Sequence, residues 1–508
     1  MKKTLIIYPF LFALFPVLFL YSYNIEQLPF TEVLLSLTIV MGFTIIALPI
    51  LWLILKKDIK KAGIIITAFL VLFFSYGHAY EAINTWKVGT IIIGRHRYLM
   101  IVCAILFILC VYFTMRTRKD LINLTKILNA ISIILILIPI INISIYEIKT
   151  GYRGKDIAFD IKEGYAESDN QENLPDIYYI ILDGYANSDT LKEFYNYDNN
   201  GFAEFLREKG FYIADKSVSN YHASYLSIAS SLNMEYINYL SDIAGIESKD
   251  QTLTYGMIRS NKVAYFLKSR GYKFIHFSSG WGPTNYNKYA DLNIGISYLK
   301  RNEFQMLLIR TTMIDAFEKQ FFKDIDRKRI LNTFDNLAEI YKVEGKKFVF
   351  AHIICPHPPY LFDRDGNSVP EADTGMNGWG LKQKEYYLNQ LIFINKKIEI
   401  LIDEILSKSE VPPIIILQAD HGPRNTFIEG EYPTTDIFKE GSRIFNAYYL
   451  PSEEGNLLYD SITPVNTFRV VFNSYFNTDY ELLEDKSYNS FEDEPYRFTD
   501  ITDMVGYD

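Results

Sequence analysis

Cysteine is scarce in this chain of 508 residues, which has only three. Cys103 and Cys110 lie in one apolar run, and only Cys355 belongs to the polar part of the chain. This number and placement exclude a disulfide framework, although they leave an extracytoplasmic setting open. The sequence also contains no internal repeat and no low-complexity tract.

Basic residues are scarce in the second part of the chain. Residues 1–150 carry 14 Lys and Arg against 6 Asp and Glu, a net charge of +8, whereas the remainder carries 37 against 54, a net charge of −17. Nucleic-acid binding needs a basic footprint, so the acidic part excludes nucleic acid as a partner. A basic, apolar N-terminal part and an acidic, polar C-terminal part indicate a membrane anchor joined to a soluble domain.

Five apolar stretches approach the roughly 20 residues that cross a bilayer as a helix. They cover residues 4–21, 33–55, 62–80, 98–115 and 127–145. Two lysines precede the first stretch as in a signal peptide, but no small-residue cleavage site follows it, so we interpret it as a retained anchor. The predicted organisation is a membrane domain at 1–148, a polar linker at 149–173 and a soluble domain at 174–508.

The basic clusters predict the orientation of this integral membrane protein. Lysines at the N-terminus, the loop 56–61 and the loop 116–119 are each separated by two spans, so all three can face the cytoplasm. An odd number of spans then places the soluble domain outside the cytoplasm. Few ionisable residues interrupt the spans, which favours an anchor over a transport path.

The soluble domain alternates short apolar runs with longer helical patterns, which predicts an α/β fold with a largely parallel sheet. The predicted strands cover 177–182, 211–214, 273–277, 347–354, 414–417 and 444–450. The predicted helices cover 190–209, 262–270, 327–341, 383–407 and 464–476.

Polar residues follow three of these strands. Asp183 comes directly after the first strand. His352 lies near the end of the fourth strand, and His357 comes three residues after that strand. Asp420 and His421 follow the fifth strand. Ligands of such sheets bind beyond the carboxyl ends of the strands. One Asp-Gly pair alone is ordinary turn chemistry, but carboxylates and imidazoles together at three strand ends predict a site for Zn²⁺ or Mn²⁺.

Ser224 is the candidate nucleophile, since it lies near the start of a segment compatible with a helix. A helix N-terminus offers free N–H groups and the positive end of the helix dipole, which suit a phosphate or sulfate. Metal coordination would activate the hydroxyl. From the local sequence alone, a plain N-cap serine is the favoured explanation of this residue.

Four segments in order are IILDG, SYLSIASSLN, HIICPHPPY and QADHG, within residues 175–450. Together they resemble the alkaline phosphatase superfamily, in particular its sulfatase-like membrane transferases, among them lipoteichoic acid synthases and phosphoethanolamine transferases. The resemblance implies an N-terminal bundle of about five transmembrane helices followed by a sulfatase-like α/β domain. It also implies one or two divalent ions, Zn²⁺ or Mn²⁺.

Residue by residue, the resemblance implies metal ligands at Asp183, Ser224, Asp420 and His421. It implies that Ser224 is the nucleophile and that His357 contacts the transferred group, while His352 repeats a spacing of the phosphoethanolamine transferases. Substrate-contacting positions in relatives fall on residues 276–287 here, so the further substrate-binding candidates are His276, Trp281 and Thr284.

The chain departs from these relatives at two positions. The first ligand is Asp183 where the membrane transferases usually have Glu, and the nucleophile is Ser224 where they usually have Thr. Sulfatases need Pro and Arg two and four residues after a Cys or Ser that becomes formylglycine, and here Leu226 and Ile228 stand there. A serine that acts directly suits phosphoryl chemistry better.

The function that the resemblance implies is a metal-dependent phosphotransferase anchored in the membrane. It would move a phosphoglycerol or phosphoethanolamine type of head group from a lipid donor to a glycan or lipid acceptor of the cell envelope, through a covalent phospho-serine. Two alternatives remain open: a sulfatase-like phosphodiesterase or sulfuric-ester hydrolase that releases product to water, and a non-catalytic membrane protein that binds glycans.

Overall fold

The computed structural model describes residues 5–28, 30–88, 91–157, 174–295, 303–317, 324–369, 379–426, 435–451 and 457–506. The chain forms two compact units. One contains Met1–Ile157 and Arg301–Lys323, and the other contains Ala158–Lys300 and Asp324–Asp508. Most of the predicted linker, from residue 158 to residue 173, lies outside the described residues.

The first unit is built on five helices: α1 Tyr8–Tyr23, α2 Leu34–Ile54, α3 Ile59–Ile83, α4 His96–Arg116 and α5 Ile122–Ile157. Among the described residues, four helical segments are long and apolar enough to cross a membrane: Phe30–Ile54, Ile59–Ile83, His96–Arg116 and Ile122–Lys149. Helix α1 is apolar but has 16 residues, fewer than a full crossing needs. Four of the five predicted apolar stretches thus form helices long enough to cross a membrane, and the first forms a shorter apolar helix. A short hairpin of β1 (Lys87–Val88) and β2 (Ile91–Ile92) joins α3 to α4.

A segment from the middle of the chain also packs in the first unit. It consists of a helix at Glu303–Thr311 and a 3₁₀ turn at Met313–Phe317. Phe304 and Leu308 are buried in one apolar cluster with residues of α1 to α3. Any side chain at Gly77 of α3 would overlap the carbonyl of Arg310, so glycine allows this close approach. The predicted soluble domain, residues 174–508, includes this segment. An apolar helical pattern does not indicate which core the helix packs against.

The second unit contains a sheet of seven strands. Five are parallel: β3 (Ile177–Leu182), β5 (Lys273–Phe277), β6 (Leu292–Ile294), β7 (Lys347–Ile353) and β8 (Ile414–Gln418). Strands β4 (Tyr212–Ile213) and β9 (Asn446–Tyr449) pair antiparallel at one edge, and the spatial order is β4-β9-β8-β3-β7-β5-β6. The predicted α/β fold with a largely parallel sheet is confirmed. Three strands were missed: β6 and the hairpin of β10 (Tyr488–Phe491) and β11 (Glu494–Asp500).

The α-helices of this unit lie between and after the strands, and they have these bounds: Ser188–Tyr195, Asn200–Glu208, Ser224–Asn233, Leu240–Ala244, Thr252–Arg259, Lys262–Ser269, Gly282–Asn285, Ile325–Leu337, Lys384–Lys408, Thr435–Ser442, Pro464–Tyr475 and Thr502–Val505. The single helix predicted at 190–209 is wrong, since the structure has two. Asn196, with φ of 51°, ends the first of them in the left-handed conformation that asparagine tolerates.

Both faces of the sheet are covered, so the central strands are buried throughout. On β3, Tyr178 and Ile180 belong to one apolar cluster, and Tyr179 and Ile181 belong to the cluster on the other face. This explains why β3 reads as a continuous apolar run rather than an alternating one. Strands β3, β7 and β8 are adjacent and parallel, so the residues that follow them meet at one edge of the sheet.

Candidate metal and nucleophile site

Asp183 occupies the centre of the site because its backbone ties two strand ends together. Its N–H donates to the carbonyl of Ile353 at 3.0 Å, and its own carbonyl accepts from the N–H of His357 at 3.0 Å. The next residue, Gly184, has φ of +73°, which favours glycine. Asp183 is 3% exposed, so its carboxylate needs compensation from the groups around it.

The carboxylate of Asp420 is oriented by backbone donors. Its Oδ1 accepts from the N–H of Gly184 at 3.2 Å and from the N–H of His421 at 3.0 Å. Its Oδ2 has no hydrogen-bond partner among the described residues, and neither has Oδ1 of Asp183, although both atoms are buried. Buried carboxylate oxygens without donors are what a cation would satisfy.

Two histidines present free nitrogen lone pairs to these oxygens. Nδ1 of His421 donates to the carbonyl of Gly422 at 2.7 Å, and Nδ1 of His357 donates to the carbonyl of Pro358 at 2.6 Å. Because a carbonyl only accepts, Nε2 of each ring is the unprotonated nitrogen in the neutral form. Nε2 of His421 lies 3.6 Å from Oδ1 of Asp183 and 3.7 Å from Oδ2 of Asp420.

His352 approaches Asp183 from the other side. Its Nε2 lies 3.2 Å from Oδ2 of Asp183, although the angle is not that of a hydrogen bond. Two groups of residues with ligand atoms within 4.8 Å of one another therefore share Asp183: one with His357 and His421, the other with His352 and Asp420. Buried carboxylates and free imidazole nitrogens fit a divalent transition metal, and the shared carboxylate is compatible with one ion or two.

The surrounding imidazoles decide the protonation state of Asp183. Burial acts to raise the pKa of its carboxyl group, but the nearby His357, His352 and His421 more than offset this, so the pKa lies below its ordinary value. Burial lowers the pKa of His357. An ionised carboxylate beside a neutral imidazole is the ligand state that metal binding requires.

Ser224 is the first residue of the helix Ser224–Asn233, and its N-cap is Ala223. The N-cap explanation of this serine is therefore wrong, since its hydroxyl caps nothing. Instead, Oγ of Ser224 lies 3.2 Å from Nε2 of His421. One turn later, the hydroxyl of Ser227 donates to the carbonyl of Asp420 at 2.7 Å and holds the helix start against the end of β8.

The three further substrate candidates lie beside or behind His352. The ring of Trp281 packs edge to face on that of His352, with centroids 5.5 Å apart. The hydroxyl of Thr284 lies 2.9 Å from Nδ1 of His352. Nε2 of His276 donates to the carbonyl of Thr284 at 2.9 Å. Thr284 and His276 are 0% and 1% exposed, so in this structure they orient His352, while Trp281 is half-buried.

Sequence reasoning missed two residues at this site. Trp379 packs edge to face on His357, with centroids 4.9 Å apart, and a Cβ at Gly184 would lie 3.1 Å from its ring. Arg424 lies three residues after His421 and donates to the carbonyl of His222. The scarcity of tryptophan, four in the chain, and the closeness of Arg424 to the Asp-His pair were the available signals.

No protein-family model matches this chain, and no curated protein matches it by sequence. Among solved structures it is similar to the C-terminal periplasmic domain of EcEptC from Escherichia coli, with 13% identity, a TM-score of 0.44, and coverage of 68% of this chain and 96% of that one. The lipooligosaccharide phosphoethanolamine transferase A (EptA) from Neisseria meningitidis shares 10% identity over 90% of this chain and 89% of its own, with a TM-score of 0.40.

The phosphonate monoester hydrolase of Agrobacterium radiobacter is similar at 10% identity and a TM-score of 0.39, covering 62% of this chain and 80% of its own. The structural neighbours are thus transferases and hydrolases, and sulfatases occur among them as well. All these similarities are distant.

Proposed function

We propose that this chain is a metal-dependent phosphotransferase, anchored in the membrane, with its catalytic unit outside the cytoplasm. One observation carries the proposal: Nε2 of His421 lies 3.2 Å from the hydroxyl of Ser224, and the same nitrogen lies 3.6 Å from Oδ1 of Asp183 and 3.7 Å from Oδ2 of Asp420. Neither of these two carboxylate oxygens has a hydrogen-bond partner among the described residues. That hydroxyl lies at the start of a helix and caps nothing. Serine, carboxylates and imidazole in this arrangement suit transfer of a phosphoryl group.

Asp183, Asp420 and His421 would hold the ion, Zn²⁺ or Mn²⁺, since Nε2 of His421 lies within 3.7 Å of an oxygen of each carboxylate. His352, which is grouped with Asp183 and Asp420, would join a second ion beside Asp183. When bound, the ion would lower the pKa of the Ser224 hydroxyl and neutralise charge on the phosphoryl oxygens. Ser224 Oγ then forms a bond to phosphorus, and the bond from phosphorus to the lipid alcohol breaks. The acceptor hydroxyl attacks the same phosphorus in the second step, and Ser224 leaves with its proton restored.

His357 provides the proton relay in this scheme. Because Nδ1 of its ring donates to Pro358 and burial lowers its pKa, the ring is neutral and Nε2 carries a lone pair. The ring would therefore take the proton that the Ser224 hydroxyl loses as it attacks phosphorus, and would give it to the leaving lipid oxygen. In the second step it would take the proton of the acceptor hydroxyl and return it to Ser224. The shielded position against Trp379 keeps the ring in one orientation.

Four helices of the first unit are long and apolar enough to cross a membrane, which supports a lipid donor. The proposed donor is a phospholipid head group of the phosphoglycerol or phosphoethanolamine type. The proposed acceptor is a glycan or lipid of the cell envelope. A donor that is itself embedded in the bilayer explains why the catalytic unit would be tethered there.

The test uses the full chain in detergent, wild type and Ser224→Ala, with elemental analysis and a panel of radiolabelled phospholipids. Metal in both proteins, with head-group release lost only in the variant, supports the proposal and identifies the donor class. Release by wild type with water as the sole acceptor would favour the hydrolase alternative. Release that survives in Ser224→Ala would reject this nucleophile.

A further inference from the structure

Arg424 has a cationic side chain with few partners. Its guanidinium donates one hydrogen bond, to the carbonyl of His222, and among the described residues no carboxylate lies within ion-pair distance of it. The side chain is half-buried, and burial lowers the pKa of the guanidinium. Removing a cation from water without a counter-ion is unfavourable, so the structure around Arg424 is one that an anion would stabilise.

The loop that carries Arg424 is held on both sides. Gly422 donates its N–H to the carbonyl of Gly441 at 2.8 Å. Oδ1 of Asn425 accepts from the N–H of Gly380 at 3.0 Å, and Thr426 donates its N–H to Oε2 of Glu440 at 2.8 Å. These hydrogen bonds fix the backbone from which the Arg424 side chain extends, and the bond to His222 holds one end of the guanidinium. Such prior ordering lowers the entropy cost of binding a ligand.

The position of the guanidinium is set by the chain that leads into the nucleophile. Its hydrogen-bond acceptor, the carbonyl of His222, lies two residues before Ser224. Along the chain, Arg424 lies three residues after His421, whose Nε2 is 3.2 Å from Oγ of Ser224. Arg424 therefore joins the segment before the Ser224 helix to the segment that follows Asp420 and His421.

We propose that Arg424 binds the non-bridging oxygens of the phosphoryl group while that group is transferred to and from Ser224. The inference rests on the proposed function and names a substrate-binding residue for it. Four N–H donors of the guanidinium remain after the bond to His222, and a planar guanidinium matches two phosphate oxygens at once.

A purely structural role for Arg424 makes a different prediction, and Arg469 is the matched control. Arg469 donates to the carbonyl of Met234 at 2.9 Å and 2.6 Å, at the opposite end of the same helix. Each arginine thus donates to a backbone carbonyl beside the Ser224 helix, Arg424 at its N-terminal end and Arg469 at its C-terminal end. Only Arg424 has its charge beside the candidate site.

The experiment measures binding of inorganic phosphate to the metal-loaded full chain in detergent, together with metal content and head-group release. Four proteins are compared: wild type, Arg424→Gln, Arg424→Lys and Arg469→Gln. The expected result is a dissociation constant for phosphate about tenfold or more higher in Arg424→Gln, an intermediate increase in Arg424→Lys, and an unchanged value in Arg469→Gln. Metal content is expected to be the same in all four.

Equal phosphate affinity in wild type and Arg424→Gln would overturn the role of Arg424, whatever the activity of the wild type. Equal losses of phosphate affinity in Arg424→Gln and Arg469→Gln would show that a disturbed helix causes the effect. That result would also overturn the role of Arg424. Weaker phosphate binding in Arg424→Gln, in a wild type that releases no head group, would leave Arg424 as an anion-binding residue and reject the proposed function. A wild type that neither binds phosphate nor releases head groups would reject both.

Discussion

Ser227 lies three residues after Ser224 on the same helix, and its hydroxyl donates to the backbone carbonyl of Asp420 at 2.7 Å. Ser227 is 1% exposed, and its hydrogen bond joins the helix that begins at Ser224 to the end of the strand that precedes Asp420. Ser224, by contrast, is half-buried, and among the described residues its hydroxyl approaches a histidine nitrogen and no backbone group. Two serines one turn apart thus differ in their contacts: Ser227 links the helix to the strand end, and Ser224 is the proposed nucleophile.

We therefore expect Ser227→Ala to lower the free energy of unfolding by about 1–3 kcal/mol, because it leaves a buried carbonyl without its donor. Ser224→Ala should leave the free energy of unfolding nearly unchanged and abolish head-group release. Thermal unfolding of the full chain in detergent, with the release assay on the same samples, checks both. A large loss of stability in Ser224→Ala would show that its hydroxyl is structural.

Thr284→Val should weaken metal binding roughly 10- to 100-fold. The hydroxyl of Thr284 contacts Nδ1 of His352, and a hydrogen bond to the second nitrogen of a metal-binding histidine orients its ring. Competition with a chelator of known affinity measures the change. Thr284→Ser keeps the hydroxyl and is the matched control, so it should retain most of the affinity. If valine and serine variants bind metal as wild type does, His352 is not part of an ion site.

Gly184→Ala should destabilise the protein by about 1–2 kcal/mol or more, since an L side chain disfavours φ of +73°. The new methyl group would also lie 3.1 Å from the ring of Trp379, which packs on His357. The expected result is a lower melting temperature together with slower head-group release.

Gly256→Ala is the control for that substitution. Gly256 lies in the helix Thr252–Arg259, and a Cβ there meets nothing within 4 Å. Alanine should therefore raise the melting temperature slightly or leave it unchanged. An equal decrease in both variants would mean that the conformation and contacts of Gly184 do not account for the effect.

The arrangement of Asp183, His352 and Asp420 could be predicted because each follows or ends an apolar run that forms a strand. Parallel strands that are neighbours place their carboxyl ends at one edge, so three local patterns were enough to define one site. The orientation of Thr284 and His276 toward His352 could not be predicted. It depends on the turn after β5, whose hydrogen bonds with β7 residues join parts of the chain far apart in sequence.

The segment Glu303–Phe317 shows a second limit of local patterns. Its apolar residues Phe304 and Leu308 have the spacing of any helix that packs on a core. The sequence does not indicate which core the segment packs against. In the structure it packs against Gly77 and the helices of the first unit. Arg424 was missed for a similar reason, since its acceptor is a backbone carbonyl, which every residue offers.

The stability of the protein should fall as the pH is lowered from about 6.5 to about 4, and His276 should account for part of the decrease. Burial lowers the pKa of His276 to about 4, whereas an unfolded histidine has a pKa near 6.5. Between these values the unfolded chain binds more protons at this residue than the folded one. The free energy of unfolding therefore rises with pH across this window, by about 3 kcal/mol for this residue.

The measurement is the melting temperature of wild type and His276→Gln at pH 7.5, 6, 5 and 4.5, in detergent and with a chelator present so that metal release does not contribute. Gln offers an N–H for the carbonyl of Thr284 but does not titrate. Other groups titrate in both proteins, so the difference between the two curves isolates His276. The difference should favour wild type most at pH 7.5 and shrink toward pH 4.5. Parallel curves would show that His276 has a pKa near its ordinary value in the folded protein.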